Sequence, residues 1–317
     1  MVYAGNYVDT NTDVDSRNYW PVGKSPSSAK NWQGATLQDD NFTASFRREG
    51  FPCGQYQIQV ANYDDAVQIY LNEAATPIFN KSGYTNTPEL TENGKIYNLN
   101  STSKIEIRFR EDAGNANVAV KFLKVETVYD GTGTPPSGSG ITVNANTILN
   151  TDLTVCSCTI NNGATLTVKK DVTLTVDEDI NVLGSGKLLI LDGGSLLQTS
   201  TQKDIFNGGT NAFEAQRITN VSRFDVTYWS SPVGNLSMHD LSPDTLWDKY
   251  HYWNSANNSW VLSNSGQDKM EAGKGYSIRA PQTHDLTIPA DFTAKFIGKP
   301  NNGDIPVSLV SGNYNLL

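Results

Sequence analysis

An apolar residue recurs every eight positions between Ile148 and Leu196, and this period constrains the fold more than any other feature of the chain. The column comprises Ile148, Cys156, Ala164, Val172, Ile180, Leu188 and Leu196. A second column, two residues further on, comprises Cys158, Leu166, Leu174, Val182 and Ile190. Because residues two apart on a strand share a face, each octad predicts a short strand with one buried side. Glycine, asparagine and aspartate lie between the strands and favour tight turns there.

A chain that bends the same way after every strand explains this repeat better than a chain that reverses direction. We therefore predict a short β-solenoid over residues 141–207, with three octads in each coil. Residues about 24 apart then stack, which places Leu166 over Ile190 and Cys158 over Val182. An ordinary β-meander remains the alternative, and in either case the segment is a spacer with a dry interior.

The composition favours short strands joined by many turns, and the charge limits the classes of partner. The 317 residues carry a formal net charge of −9, and the pI is near 4.8. Binding to nucleic acid needs clustered Lys and Arg, which this chain lacks, so we expect no nucleic-acid partner. No apolar run approaches the roughly 20 residues of a membrane span, so we expect no membrane insertion.

Both ends of the sequence favour an excerpt from a longer, exported protein. Residues 1–4 are not a signal peptide. Residues 314–317 stop inside an apolar, strand-like run. We expect the natural protein to begin upstream of Met1 and to continue beyond Leu317.

The three cysteines are an odd count, which excludes a fully paired disulfide framework. Cys156 and Cys158 point to the same side of one strand, a poor geometry for a bridge between them, and Cys53 lies in another region. We expect all three to be buried as small hydrophobic residues.

Residues 1–127 show the two-residue alternation of half-buried strands. The alternation occurs over residues 41–46, 55–60, 66–71, 104–109 and 118–122. Each of these runs has one apolar and one polar face, so we predict a β-sandwich.

The order of these runs resembles the protective-antigen-type, or PA-fourteen, domain family. The matching elements are a strand over residues 40–48, a Gly-x-Tyr strand from Gly54, an Asp-Asp turn at residues 64–65 that leads into a strand, and a strand from Lys104 that ends in a glycine turn near Gly114. Domains of this family are β-sandwiches that commonly bind sugars, and some use an adjacent Asp pair to hold calcium at the glycan.

The resemblance implies a calcium and glycan site at Asp64 and Asp65. Two adjacent carboxylates can share one ion only if the backbone between them is sharply bent or their peptide bond is cis. Ala66 departs from the family pattern, which has glycine after the Asp pair, and a solvated Asp-Asp turn is the alternative. Further oxygen ligands would come from the following loop, whose candidates are Asn86, Glu89, Glu92 and Asn93.

Residues 130–140, which make up most of the segment 128–140, have no large apolar side chains. Such a stretch has little to bury and predicts a flexible linker.

Residues 208–317 contain aromatic, strand-like runs separated by turns, which predict a second, truncated β-sandwich-like module. With the preceding turn over residues 194–196, they resemble a module of large surface proteins exported by the type IX secretion system of Bacteroidota. The resemblance implies export to the cell surface. Trp229, Trp253 and Trp260 alternate with polar neighbours, which favours the core of the module over a sugar-stacking platform.

The sequence contains no arrangement that predicts catalysis. His239, His251 and His284 have no metal-ligand spacing, and neither a nucleophile elbow nor a phosphate loop is present. No feature selects a glycosidase pair among the many carboxylates. We therefore expect a protein that is not an enzyme, with structural histidines.

These features predict an all-β adhesin fragment that is secreted or exposed at the cell surface, outside the outer membrane. Its first domain binds an extracellular polysaccharide or surface glycan with Ca²⁺, the rest forms a stalk, and the type IX secretion machinery exports the full-length protein. The role would be gliding motility, biofilm formation or feeding. Two alternatives stay open, namely non-catalytic accessory modules of an extracellular polysaccharide hydrolase and a purely structural stalk.

Overall fold

A computed structural model of the chain describes residues 13–30, 32–200 and 205–317. Residues 1–4, for which no signal peptide is expected, lie outside the described residues. The fold is all-β, as predicted, and a single short α-helix occurs in the described ranges. The chain divides into two compact units, Met1–Glu126 and Thr127–Leu317.

The first unit is built around one long strand, β3. Its strands are β1 (Val14–Asp15), β2 (Phe42–Glu49), β3 (Gly54–Leu71), β4 (Phe79–Thr85), β5 (Glu89–Leu90), β6 (Ile96–Leu99), β7 (Lys104–Glu111) and β8 (Asn117–Val125). They form one hydrogen-bonded sheet of eight strands in the order β1-β8-β3-β7-β2, and β4, β5 and β6 also pair with β3. β3 can join so many partners because its 18 residues pair with different strands along their length.

The alternating runs of the first unit place their apolar residues in one core. On β3 the buried residues include Ile58, Val60, Val67 and Ile69. Their polar neighbours are only partly buried. This is the burial pattern that a two-residue period produces in strands with one covered face.

The second unit begins with a chain that coils, with three strands per coil. These strands are β9 (Thr127–Val128), β10 (Ile141–Val143), β11 (Thr147–Leu149), β12 (Leu153–Val155), β13 (Cys158–Ile160), β14 (Thr165–Val168), β15 (Thr173–Val176), β16 (Ile180–Val182), β17 (Lys187–Ile190), β18 (Ser195–Gln198) and β19 (Phe206–Asn207). From β10 to β17, each strand pairs in parallel with the third strand after it, as β13 does with β16, β14 with β17 and β15 with β18. The inward residues form a dry interior.

The stacking offset differs from the expected 24 residues. Leu166 pairs with Leu188, not Ile190, and Cys158 pairs with Ile180, not Val182. Both observed pairs are 22 residues apart. The difference of two residues leaves the buried face unchanged, because side chains two apart on a strand point the same way. Hydrophobic periodicity alone therefore could not distinguish 22 from 24.

The coil continues into the region predicted as a separate module, residues 208–317. This region contains β20 (Phe213–Val221), β21 (Val226–Trp229), α1 (Met238–Leu241), β22 (Tyr250–Asn254), β23 (Ser259–Leu262), β24 (Tyr276–Arg279) and β25 (Ala290–Ile297). β20 pairs in parallel with β17, and β25 then pairs antiparallel with β20. One hydrophobic cluster runs from Tyr129 to Phe296. The end of a coil exposes apolar residues that need a cover, and the later strands supply it.

Residues 128–140, expected as a linker, also contact the coil. Thr127 and Val128 pair with β10. Tyr129 belongs to the core of the second unit, and Ser139 is buried. The expectation rested on residues 130–140, which lack large apolar side chains, but turns and backbone hydrogen bonds hold the segment in place.

The cysteines differ from the expectation in one respect. All three are buried, but Cys53 and Cys156 are disulfide-bonded. Cys158 is the free cysteine, and burial raises the pKa of its thiol to about 12. The odd count left at least one cysteine free, but the sequence could not indicate which one.

Gly194 lies at a corner of the coil where adjacent coils approach closely. A Cβ at this position would lie 2.7 Å from the carbonyl oxygen of Lys169 and 3.0 Å from that of Val168. Gly194→Ala should therefore lower the free energy of unfolding by about 1–3 kcal/mol, as overpacking does, measured by chemical denaturation. Gly209→Ala is the control, since nothing lies within 4 Å of its Cβ position. Equal losses in the two variants would contradict the close approach.

Candidate functional site

Asp64 and Asp65 lie in β3 where its neighbour along one edge changes. Asp64 is the last residue of β3 to pair with β8, and pairing with β7 begins at Ala66. The peptide bond between the two aspartates is cis. Both side chains are half-buried, and their carboxyl groups are hydrogen-bonded to each other. The two carboxyl groups thus converge instead of pointing apart.

The two carboxyl groups have opposite pKa shifts, as expected for a pair that shares a proton. Partial burial, the charge of Asp65 and the hydrogen bond to Asp65 raise the pKa of Asp64. Burial acts against the charge on Asp65 too, but the backbone N–H groups of Asp112 and Ala113, the hydrogen bond from Asp64 and the charge of Arg110 lower its pKa overall. Of the two, Asp65 is therefore the carboxyl group whose charged form is favoured.

Two carboxylates hold the turn between β7 and β8. Oδ2 of Asp65 accepts hydrogen bonds from the N–H groups of Asp112 (2.7 Å) and Ala113 (3.1 Å). Oδ1 of Asp40 accepts a hydrogen bond from the N–H of Gly114 at 3.0 Å. The turn that follows β7 is therefore fixed next to the aspartate pair.

Glu111 is a functional candidate that the sequence analysis missed. Its side chain is 0% exposed, and neither Oε1 nor Oε2 has a hydrogen-bond partner. Burial, followed by the charges of Asp65, Asp64, Asp40 and Asp112, raises the pKa of Glu111 to about 7. We refer to Asp40, Asp64, Asp65, Glu111 and Asp112 as the acidic cluster.

The position of Glu111 follows from the alternation of β7. Ile105, Ile107 and Phe109 point into the core, and Glu111 is the next residue on that face. Its partner on β2 is Phe42, which also belongs to the core. The alternation rule, continued for one more residue, places this carboxylate inside, and that signal was available in the sequence.

The outward face of β7 has the opposite character. Glu106 accepts hydrogen bonds from Arg47 and Arg108. The hydrogen bond from Arg108 is the main reason that the pKa of Glu106 is lowered to about 2; Arg47 and Ser45 act in the same direction, against burial. Carboxylates of this strand are therefore neutralised on one face and left without a partner on the other.

The candidate ligands in the loop after β4 do not join the acidic cluster. Glu89 forms an ion pair with Lys81. Glu92 forms an ion pair with Lys95 and accepts a hydrogen bond from the hydroxyl of Tyr97. Asn93 has a positive φ of 57° in the turn after β5, and no contact places Asn86 at the pair. The other negative charges of the cluster come instead from Glu111 and Asp112, where β7 ends, and from Asp40.

The acidic cluster brings together carboxyl groups only. It offers only oxygen donors, which suit calcium. Within the described ranges, no three His, Cys, Asp or Glu side chains already converge on one point. A bound ion would have to draw the carboxylates of Asp64, Asp65 and Glu111 together. The unpartnered oxygens of Glu111 are free to take part.

A family model described as "Domain of unknown function (DUF8693)" matches residues 131–316. The chain belongs to this family. No curated protein matches the chain. The DUF8693 region lies within the second unit, whereas the acidic cluster lies in the first.

The tryptophans predicted for the core of the DUF8693 region have different environments. Trp229 packs against the core and meets Phe296 edge-on, with ring centroids 5.7 Å apart. Trp253 is half-buried, and its Nε1 donates a hydrogen bond to the carbonyl oxygen of Tyr314. Trp260 is 42% exposed, so its assignment to the core is wrong. The two-residue alternation is present in β23, but the face that carries Trp260 is the exposed one.

The histidines of the DUF8693 region have structural surroundings. Nδ1 of His284 lies 2.9 Å from the carbonyl oxygen of Val221. Partial burial, together with the charge of Lys249, lowers the pKa of His251. The ring of His239 packs against Tyr250.

In the part of the chain that the structure describes, no helix is long and apolar enough to span a membrane.

Proposed function

We propose that the first unit is a calcium-dependent glycan-binding domain of an adhesin that acts at the cell surface. The observation that carries this proposal is Glu111, a fully buried carboxylate with two unpartnered oxygens beside Asp64 and Asp65. Burying a carboxylate without a partner is costly, so such a group indicates that a cation or a proton completes the site.

Calcium suits the acidic cluster better than a transition metal does. It accepts carboxylate and carbonyl oxygens in flexible numbers, at about 2.3–2.6 Å. The carboxylates of Asp64, Asp65 and Glu111 would hold the ion, and the ion in turn would supply coordination positions for the hydroxyl groups of a sugar. The resemblance to PA-fourteen domains supports a glycan as the ligand. Ala66, which replaces the glycine of the family pattern, pairs with Ser82 and Arg110 within the sheet.

The disulfide-bonded Cys53 and Cys156 support export of the chain. Disulfides persist in oxidising compartments and are rare in the cytosol. We therefore place the protein outside the cell, exported by the type IX secretion machinery, with the coil as its stalk. A role as accessory modules of a polysaccharide hydrolase uses the same glycan site.

Calcium binding can be tested by changing both aspartates together. Asp64→Asn with Asp65→Asn should abolish the heat of calcium binding in titration calorimetry, because both carboxylates lose their charge. Calcium-dependent retention on a glycan array should disappear with it. Calcium at 100 times its dissociation constant should raise the free energy of unfolding of the wild type by about 2.7 kcal/mol. The free energy of unfolding of the variant should not change.

The control is Glu49→Gln with Glu73→Gln, which removes two negative charges from the exposed surface of the same unit near Lys104. This variant should bind calcium as the wild type does. A wild type without a heat of binding at millimolar calcium would refute the site. If the wild type binds calcium but no glycan on the array, the ion has a purely structural role.

A further inference from the structure

The four-stranded sheet of the second unit has an outer face that carries exposed aromatic residues. The strand order is β21-β24-β22-β23. Tyr250, Tyr276 and Ile278 fill its inner face and are buried. On the outer face, Tyr228 is 62% exposed and Trp260 is 42% exposed.

The rings of Tyr228 and Trp260 meet across this face. Their strands, β21 and β23, are the two edges of the sheet, so the backbones are about 14 Å apart at the usual spacing of about 4.8 Å per strand. The ring centroids are nevertheless only 5.8 Å apart, and the planes are within 11° of parallel. Both side chains therefore lean over the middle of the sheet, where Ser277 and His251 pair. The two rings stack on each other, and their exposed parts form one aromatic surface, which we call the platform.

The platform is held in place by a third aromatic residue. The ring of Trp253 meets that of Trp260 edge-on, with centroids 5.2 Å apart and planes at 74°. Trp253 is anchored in turn by its hydrogen bond to the carbonyl oxygen of Tyr314, at 2.8 Å. An exposed aromatic pair that is supported in this way is preorganised for a ligand.

The size of the platform favours a small, flat partner. Aromatic side chains present about 150–250 Å² each, so the exposed parts of Tyr228 and Trp260 offer on the order of 200 Å². A stable protein partner or a second copy of the chain needs roughly 800 Å² on each side. A pyranose ring, whose axial C–H bonds meet the negative face of an aromatic ring, matches the smaller area.

We infer that Tyr228 and Trp260 form a second carbohydrate-binding site, specific for pyranose rings of a neutral polysaccharide. The net charge of −9 disfavours polyanionic chains. His251 is half-buried in the same row as Tyr228 and offers hydrogen-bonding groups to sugar hydroxyls, whereas Ser277 between them is buried. This site has no carboxylate at its centre and needs no calcium. It does not depend on the function proposed for the first unit.

The test uses the full chain in the presence of EDTA, so that a calcium site cannot contribute. Pull-down on insoluble cellulose and chitin, and affinity electrophoresis in xylan, mannan and laminarin, should show binding to at least one of them. Trp260→Ala and Tyr228→Ala should each weaken that binding by about tenfold or more, because stacking and apolar burial are both lost.

Trp247→Ala is the matched control, since Trp247 is 62% exposed and outside the platform; its affinity should equal that of the wild type. Trp260→Phe keeps a flat ring and should retain most of the binding. The weaker binding of Trp260→Ala would then come from the missing ring and not from a folding defect. Absence of binding to all five polysaccharides would overturn the inference. A Trp260→Ala variant with unchanged affinity for the polysaccharides would also overturn it. The same holds if Trp260→Ala abolishes only self-association of the chain, measured by sedimentation velocity.

Discussion

Leu174→Asp should lower the free energy of unfolding of the second unit by about 4 kcal/mol or more, enough to unfold a marginally stable chain. Leu174 is 0% exposed. It pairs with Leu153 on one side and with Leu196 on the other. A carboxylate at this position has apolar neighbours in the coils above and below and lacks a partner for its charge.

The control for this prediction lies one residue away. Thr175→Asp changes a half-buried residue on the outward side of the same strand, between Thr154 and Leu197. Its effect should stay within about 1 kcal/mol, as for most surface changes. Thermal and denaturant melts of the two variants measure the difference. A Leu174→Asp protein with the melting temperature of the wild type would show that the coil interior is misassigned.

Glu111→Gln should stabilise the first unit at neutral pH without calcium and prevent calcium from stabilising it. Glutamine keeps the shape of the side chain but removes a buried negative charge from the acidic cluster. In EDTA at pH 8, we expect the variant to be more stable than the wild type by on the order of 2 kcal/mol. With calcium, the order should reverse because only the wild type retains the third carboxylate.

The pH dependence of this difference follows from the raised pKa of Glu111. The carboxyl titrates at about 7 in the folded chain, against 4.5 for an unperturbed glutamate. Between these values the folded state binds more protons than the unfolded state, so stability falls as pH rises through that window. Below about pH 4.5 both states are protonated, and the wild type and Glu111→Gln should be equally stable. Glu106, with its pKa of about 2, affects stability only below this window.

Hydrogen exchange of amides in the first unit, followed by mass spectrometry from pH 4 to 8, separates its stability from that of the second unit. Glu106→Gln is the control because this glutamate is paired with arginines on the outer face of the same strand. It should be less stable than the wild type at pH 8. A difference between Glu111→Gln and the wild type that does not vary with pH would show that Glu111 is solvated or already paired.

Local sequence patterns determined the fold class and most of the interior of this protein. The two-residue alternation identified the buried residues of β3, β7 and β8. The octad columns identified most of those of the coil, such as Leu166 and Leu174, but Ile148, the first residue of the first column, is 46% exposed. These predictions succeeded because the direction of a side chain on a strand depends only on its parity along the chain. The Asp64-Asp65 pair was visible for the same reason, since its members are adjacent.

Only the tertiary structure decided which distant segments meet. It set the offset between β14 and β17 at 22 residues, which local periodicity could not do because strand parity is the same at 22 and 24. It placed Asp40, Asp64 and Asp65 around the buried Glu111, and it left the face of β23 that carries Trp260 exposed. It also joined residues 208–317 to the coil through β20. Each of these features depends on pairing between residues far apart along the chain, and such pairing is set by packing of the whole unit and not by any local period.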